Sequence, residues 1–116
     1  MTVKLNRTSY EHAQRAIKEG HRVLDERGDW SQHQPSTSAE NEFVEERGFG
    51  EYAHWHLAID DGMAEDTKGR YEFLYGDFRD VHRCALLAAE SRAGQYGHRE
   101  VELAAAHLLG MLDAER

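Results

Sequence analysis

The chain of 116 residues contains one cysteine and one proline, and no apolar run approaches the roughly 20 residues that a bilayer-spanning helix needs. A lone thiol, Cys84, excludes an intrachain disulfide and any zinc site built mainly from thiolates, and it fits a reducing compartment. Basic side chains are in the minority, 14 against 22 acidic ones, for a formal charge of −8. Such a surface repels phosphate backbones and anionic lipid, so nucleic acid is disfavoured as a partner and no membrane partner is expected. Residues Met1 to Arg7 lack the apolar stretch of a secretory signal, which predicts a cytoplasmic protein. Catalytic signatures are missing too. Gly76-Asp77 lacks the further glycines of a phosphate-cradling loop, and no serine sits in a nucleophile elbow.

What is present suits one closed core. The length is that of one domain, 40% of the residues are apolar, and no repeat or linker divides the chain, so residues 1–116 read as a single unit. Thr8-Ser9-Tyr10-Glu11 has the form of a capping box, and Tyr10, Ala13 and Ile17 recur at helical spacing until Gly20. Residues 21–34 read mostly as loop, with room for a short strand at the only apolar pair, Val23-Leu24. Thr37 and Glu40 form a second capping box that opens a short acidic helix ending at Gly48. From Tyr52 to Ile59 the period changes to two, which predicts a half-buried strand paired with residues 70–75 across a polar loop. Asp77 is the expected cap of an apolar helix over Phe78, Val81, Cys84, Ala85 and Ala88, with Gly94 as its stop. A last helix carries Val101, Ala104, Ala105, Leu108, Met111 and Leu112 on one stripe. The fold class predicted is α+β, about four helices packed around one β-hairpin.

Eight histidines are many for this length. His54-Trp55-His56 is the sharpest local feature, because positions i and i+2 of a strand share a face and two imidazoles there can chelate one metal. His82 is the third ligand of that reading, with Glu51, Asp60 and Asp61 as alternatives, and the cofactor would be a divalent transition metal. The ordinary alternative is two ring-packing histidines on the wetter face of a strand, with no cofactor. Cys84 reads as a small core residue, Glu90 as a conceivable buried base, and His107 as a boundary histidine. Tyr52, Tyr71, Phe73 and Tyr75, with Trp55, gather several aromatics in one hairpin, a composition that suits a protein-binding face.

The segments Trp30 to Pro35, Glu51 to Asp60, Thr67-Lys68-Gly69-Arg70-Tyr71-Glu72-Phe73, Tyr75-Gly76-Asp77-Phe78 and Val81-His82-Arg83 resemble a family of small uncharacterised prokaryotic proteins over nearly the whole chain. That resemblance implies a compact α+β unit and no particular activity. Residues 71–92, an aromatic strand, a glycine turn and a helix opening with His-Arg, more weakly resemble small modules associated with phage head-maturation proteins; those modules often carry a proline where this chain has Leu74. The function expected from the sequence is a non-catalytic cytosolic accessory or binding protein that self-associates as a homodimer through its hairpin. The alternatives are a metal-binding protein or metal-assisted enzyme using the His-x-His pair, and an acidic mimic of nucleic acid.

Overall fold

A computed structural model describes residues 2–114. The order of elements is β1 (Val3–Leu5), α1 (Arg7–Lys18), β2 (Arg22–Val23), α2 (Trp30–His33), α3 (Thr37–Ala53), β3 (His56–Asp60), β4 (Tyr71–Leu74), β5 (Val81–His82), α4 (Arg83–Gln95) and α5 (Arg99–Ala114). The class is α+β, as expected. The radius of gyration, 13.1 Å, is that of a single closed unit of this length. No helix is long and apolar enough to cross a membrane among the described residues.

Helix α1 forms because Ala13, Ala16 and Ile17 fall on one buried stripe. Its cap is Asn6, whose Oδ1 accepts from the Ser9 amide at 3.4 Å, so the helix begins one residue before the Thr8 capping box. Gly20, at φ 88°, ends it, and the His21 amide returns to the Ala16 carbonyl at 2.9 Å. The same Asn6 donates from Nδ2 to the carbonyls of Ala53 (3.0 Å) and His56 (3.2 Å), which stitches the start of α1 to the α3–β3 junction.

The three-stranded sheet has β3 at its centre, antiparallel to β1 on one side (Lys4 opposite Ile59) and to β4 on the other (Ala58 opposite Glu72). The hairpin expected from residues 52–75 is therefore present as β3–β4, with β1 added as a third strand. A second, two-stranded ladder pairs β2 and β5 in parallel, Arg22 opposite Val81 and Val23 opposite His82. Helices α4 and α5 pack along each other. Ala93, Ala104 and Ala105 are buried, and Ala93, Ala105, Val101, Leu108 and Leu112 run into a core shared with Ile17, Leu57, Tyr75, Val81 and Leu86.

Two boundaries differ from the sequence reading in ways that matter. Gly48, at φ 84° and ψ 171°, interrupts α3 without ending it, and helical turns resume through Phe49 to Ala53. Tyr52 and Ala53 are thus helical, His54 is the C-cap, and the strand starts at His56. Four residues of apparent alternation fit a last helical turn plus its cap as well as they fit a strand, and burial of the Tyr52 ring selects the helix. Asp77, in turn, does not cap α4. Its Oδ1 accepts from the amides of Arg79 (3.0 Å) and Asp80 (2.8 Å) in a tight turn that puts Phe78 at φ 72°, and α4 starts only at Arg83.

His56 is 3% exposed and its Nδ1–H donates to the Tyr52 carbonyl at 2.8 Å. Burial disfavours its charged form and lowers its pKa to about 4, although the Tyr52 carbonyl pulls the other way. The unfolded chain therefore binds a proton at His56 that the folded chain refuses between about pH 6.5 and 4, so stability falls on acidification across that window. Replacing His56 by Gln should flatten this slope, by up to about 3 kcal/mol relative to the wild type. Urea titrations of both proteins at pH 7 and pH 4 read the difference directly; parallel acid losses in the two would mean that His56 is not held neutral.

Candidate functional site

The parallel pairing of β2 with β5 decides where the chemistry lies. It sets two segments side by side, so that the residues just beyond β2 meet the start of α4. Asp25 arrives there from the β2–α2 connection, His33 from the end of α2, His82 from β5 and Cys84 from the first turn of α4. Asp25, His82 and Cys84 are 8%, 5% and 1% exposed, whereas the His33 ring is half-exposed.

Every oxygen of Asp25 is engaged. Oδ1 accepts from the Cys84 amide at 2.7 Å, so a carboxylate distant in sequence caps the N-terminus of α4, for which the preceding residue, His82, supplies no side-chain cap. Oδ2 lies 2.7 Å from His33 Nδ1, 2.7 Å from His82 Nδ1 and 3.0 Å from the Cys84 sulfur. His82 carries a second carboxylate on its other nitrogen, Nε2 to Asp77 Oδ2 at 2.9 Å. Arg83 closes the edge by donating to the Asp25 carbonyl at 3.3 Å. The Trp30 ring, 5.7 Å from that of His82, stands beside the cluster.

The electrostatics follow from these contacts. Burial would push the Asp25 carboxyl upward, but the Cys84 thiol and amide and the two imidazoles hold it far below the usual carboxylate range. Burial disfavours charge on His82 as well, and the hydrogen bonds it donates to Asp77 and Asp25 overcome this and raise the pKa. For Cys84, burial and the Asp25 carboxylate act together, pushing the thiol up to about 12. A thiol so held is protonated at neutral pH and is no nucleophile. What the arrangement offers is a set of donors: one ligand atom each from Asp25, His33, His82 and Cys84, all within 4.8 Å of one another.

Of the three histidines singled out from sequence, the structure brings only His82 here. His54 faces Glu51 (Nδ1 to Oε2, 3.8 Å) and stacks on His12 at 5.6 Å, while His56 is tied to Tyr52. The three rings have no common partner, because His54 closes a helix rather than sharing a strand face with His56. Asp60 and Asp61 are spent on the turn after β3 and on Lys4. Among the aromatics, Tyr52 and Tyr75 are buried, with the Tyr75 hydroxyl donating to the His54 carbonyl at 2.6 Å; Tyr71 and Phe73 are half-buried. Tyr52 and Tyr75 therefore build the interior instead of a contact face. Cys84 is buried as expected, yet its sulfur faces a carboxylate. Asp25 and His33 were missed from sequence, since no periodicity or motif marks them within residues 21–34.

Family models, curated proteins and solved structures yield no match to this chain.

Changing Asp25 to Asn would leave the oxygen that caps α4 but place an amide N–H₂ against the Cys84 thiol and two imidazoles. Stability should drop by about 3 kcal/mol or more at pH 7, as it does when one partner of a buried ionic network is removed. Because the folded-state pKa of Asp25 is depressed, the wild-type advantage is complete above the ordinary carboxylate range and is lost progressively as the pH falls from there toward the depressed folded-state value, so it should already be smaller near pH 3. Chemical denaturation of both proteins at pH 7 and near pH 3 measures this; equal stability at pH 7 would show that the network contributes nothing.

Proposed function

We propose that the protein is a metal-binding protein whose centre consists of Asp25, His33, His82 and Cys84. The observation that carries this reading is the convergence of four different donor groups, from three separate stretches of chain, within 4.8 Å of one another. Two imidazole nitrogens, a carboxylate oxygen and a sulfur make a mixed, borderline-soft set, which suits zinc or a neighbouring divalent transition metal better than calcium or magnesium. With a carboxylate and a thiolate, the ligands carry two negative charges, which a divalent ion neutralises in a poorly hydrated place.

Asp77 strengthens the reading. A histidine that binds metal through one nitrogen commonly donates from the other to a carboxylate, and His82 has such a partner in Asp77 Oδ2. Metal binding replaces the hydrogens now shared around Asp25 Oδ2 and displaces the Cys84 proton. Four protein ligands close the coordination shell, the pattern of a structural or regulatory site, which agrees with a non-catalytic protein. The ion then joins the β2–α2 connection to the start of α4, so metal loading and folding stability are coupled.

Full-length protein purified without a histidine tag should contain about one equivalent of a transition metal, or take up zinc or cobalt after chelation with a rise in melting temperature. The cobalt form should show a thiolate charge-transfer band that Cys84→Ser abolishes. His33→Ala, at a half-exposed position, should release the ion while the chain stays folded, and Asp77→Asn should weaken binding by roughly 10- to 100-fold. His54→Ala should retain it. Absence of bound metal together with no response to zinc or cobalt would sink the proposal, as would loss of the ion in His54→Ala but not in Cys84→Ser.

A further inference from the structure

Beside the cluster, with Trp30 in both walls, opens a cleft of about 340 Å³, near the lower end of the range for small-ligand sites. The rings of Trp30, Tyr52, Tyr71 and Phe73 and the small side chains of α4 form its apolar surface. Its polar groups fall into two kinds. Glu40 is already matched, by Lys68 Nζ at 3.1 Å and by the Tyr52 hydroxyl. Glu72 and Arg92 are not: both line the cleft, yet no ion pair joins them, and neither side chain has a hydrogen-bonding partner among the described residues.

His56 adds a third group. It is 3% exposed, its Nδ1–H is committed to the Tyr52 carbonyl at 2.8 Å, and the ring lines the cleft. Its other nitrogen has no partner among the described residues and is left as an acceptor for a donor brought from outside. A neutral acceptor beside a half-buried, unmatched carboxylate suits a protonated amine. A guanidinium at the rim suits a carboxylate. A purely cationic or purely anionic occupant would leave one of the two charges unanswered.

We infer that this cleft binds a small zwitterion, an amino acid with an apolar side chain, whose ammonium group meets Glu72 and His56, whose carboxylate meets Arg92, and whose side chain lies among the aromatic rings. This inference is independent of the metal centre: none of Glu72, His56 and Arg92 belongs to the donor set.

Amide NMR of the full chain, titrated with phenylalanine and leucine and with their amine and carboxylic acid counterparts, tests it. Saturable shifts should map to Trp30, His56, Glu72 and Arg92. The counterparts that lack either charge should bind at least about tenfold more weakly, the effect expected of one lost charge-assisted contact. Glu72→Gln should cost a similar factor toward the amino acid and leave the carboxylic acid unaffected, with Arg92→Gln showing the mirror image; both positions are open enough for the variants to fold. The inference is overturned if an analogue carrying one charge binds as tightly as the zwitterion, if the shifts lie elsewhere, or if none of the compounds gives a saturable response up to its solubility limit.

Discussion

The carboxylate of Asp25 is the contact on which the arrangement of this molecule turns. A buried carboxylate is costly unless its lone pairs are filled, and here one oxygen takes the Cys84 amide while the other takes the Cys84 thiol and two imidazoles. Those partners belong to α2, β5 and α4, so one side chain fastens three elements. The β2–β5 ladder is only two residues long on each strand and could not hold that seam alone. Helix α4, whose first turn depends on this external cap, then places Leu86 and Ala93 in the core and packs along α5.

The histidine content becomes intelligible as a set of separate local tasks. His12 meets the Tyr75 hydroxyl at 2.8 Å, and His56 pins the α3–β3 turn through the Tyr52 carbonyl. His54 sits near Glu51 and His21 near Asp80, while His98 and His107 lie edge-on against Phe73 and Tyr10. Among the described residues, only His33 and His82 converge on a shared acceptor. Counting histidines therefore overstated the chemistry, and the two that matter most for it lie 49 residues apart, brought together by the parallel pairing of β2 with β5. Trp30 stands beside the His82 ring and also lines the neighbouring cleft, so the donor cluster and the cleft adjoin.

Helices α1 and α5 were legible because each repeats its apolar residues over three or more turns, long enough for the 3.6-residue period to stand out, whereas α4 was legible from its apolar run Cys84 to Ala89 and begins at Arg83 instead of just after Asp77. The β3–β4 hairpin was legible from its apolar and aromatic composition, although its first strand begins four residues later than the alternation implied. Strands β1 and β5, of two or three residues, were not legible, and β2 showed only as the apolar pair at Val23-Leu24: so few positions define no period, and these strands exist only because a partner lies alongside.

By itself, then, the sequence determined the class of the fold, the apolar stripes that close the core and the impossibility of a disulfide, since these depend on composition and on neighbours a few residues apart. Only the tertiary structure decided that Asp25 and His33 join His82 and Cys84, that His54 and His56 serve other partners, and that Tyr52 and Tyr75 point inward. The physical reason is that a ligand set is a matter of distances between side chains remote in sequence. Those distances are fixed by which strand lies beside which, and β2 and β5 are too short to announce their pairing.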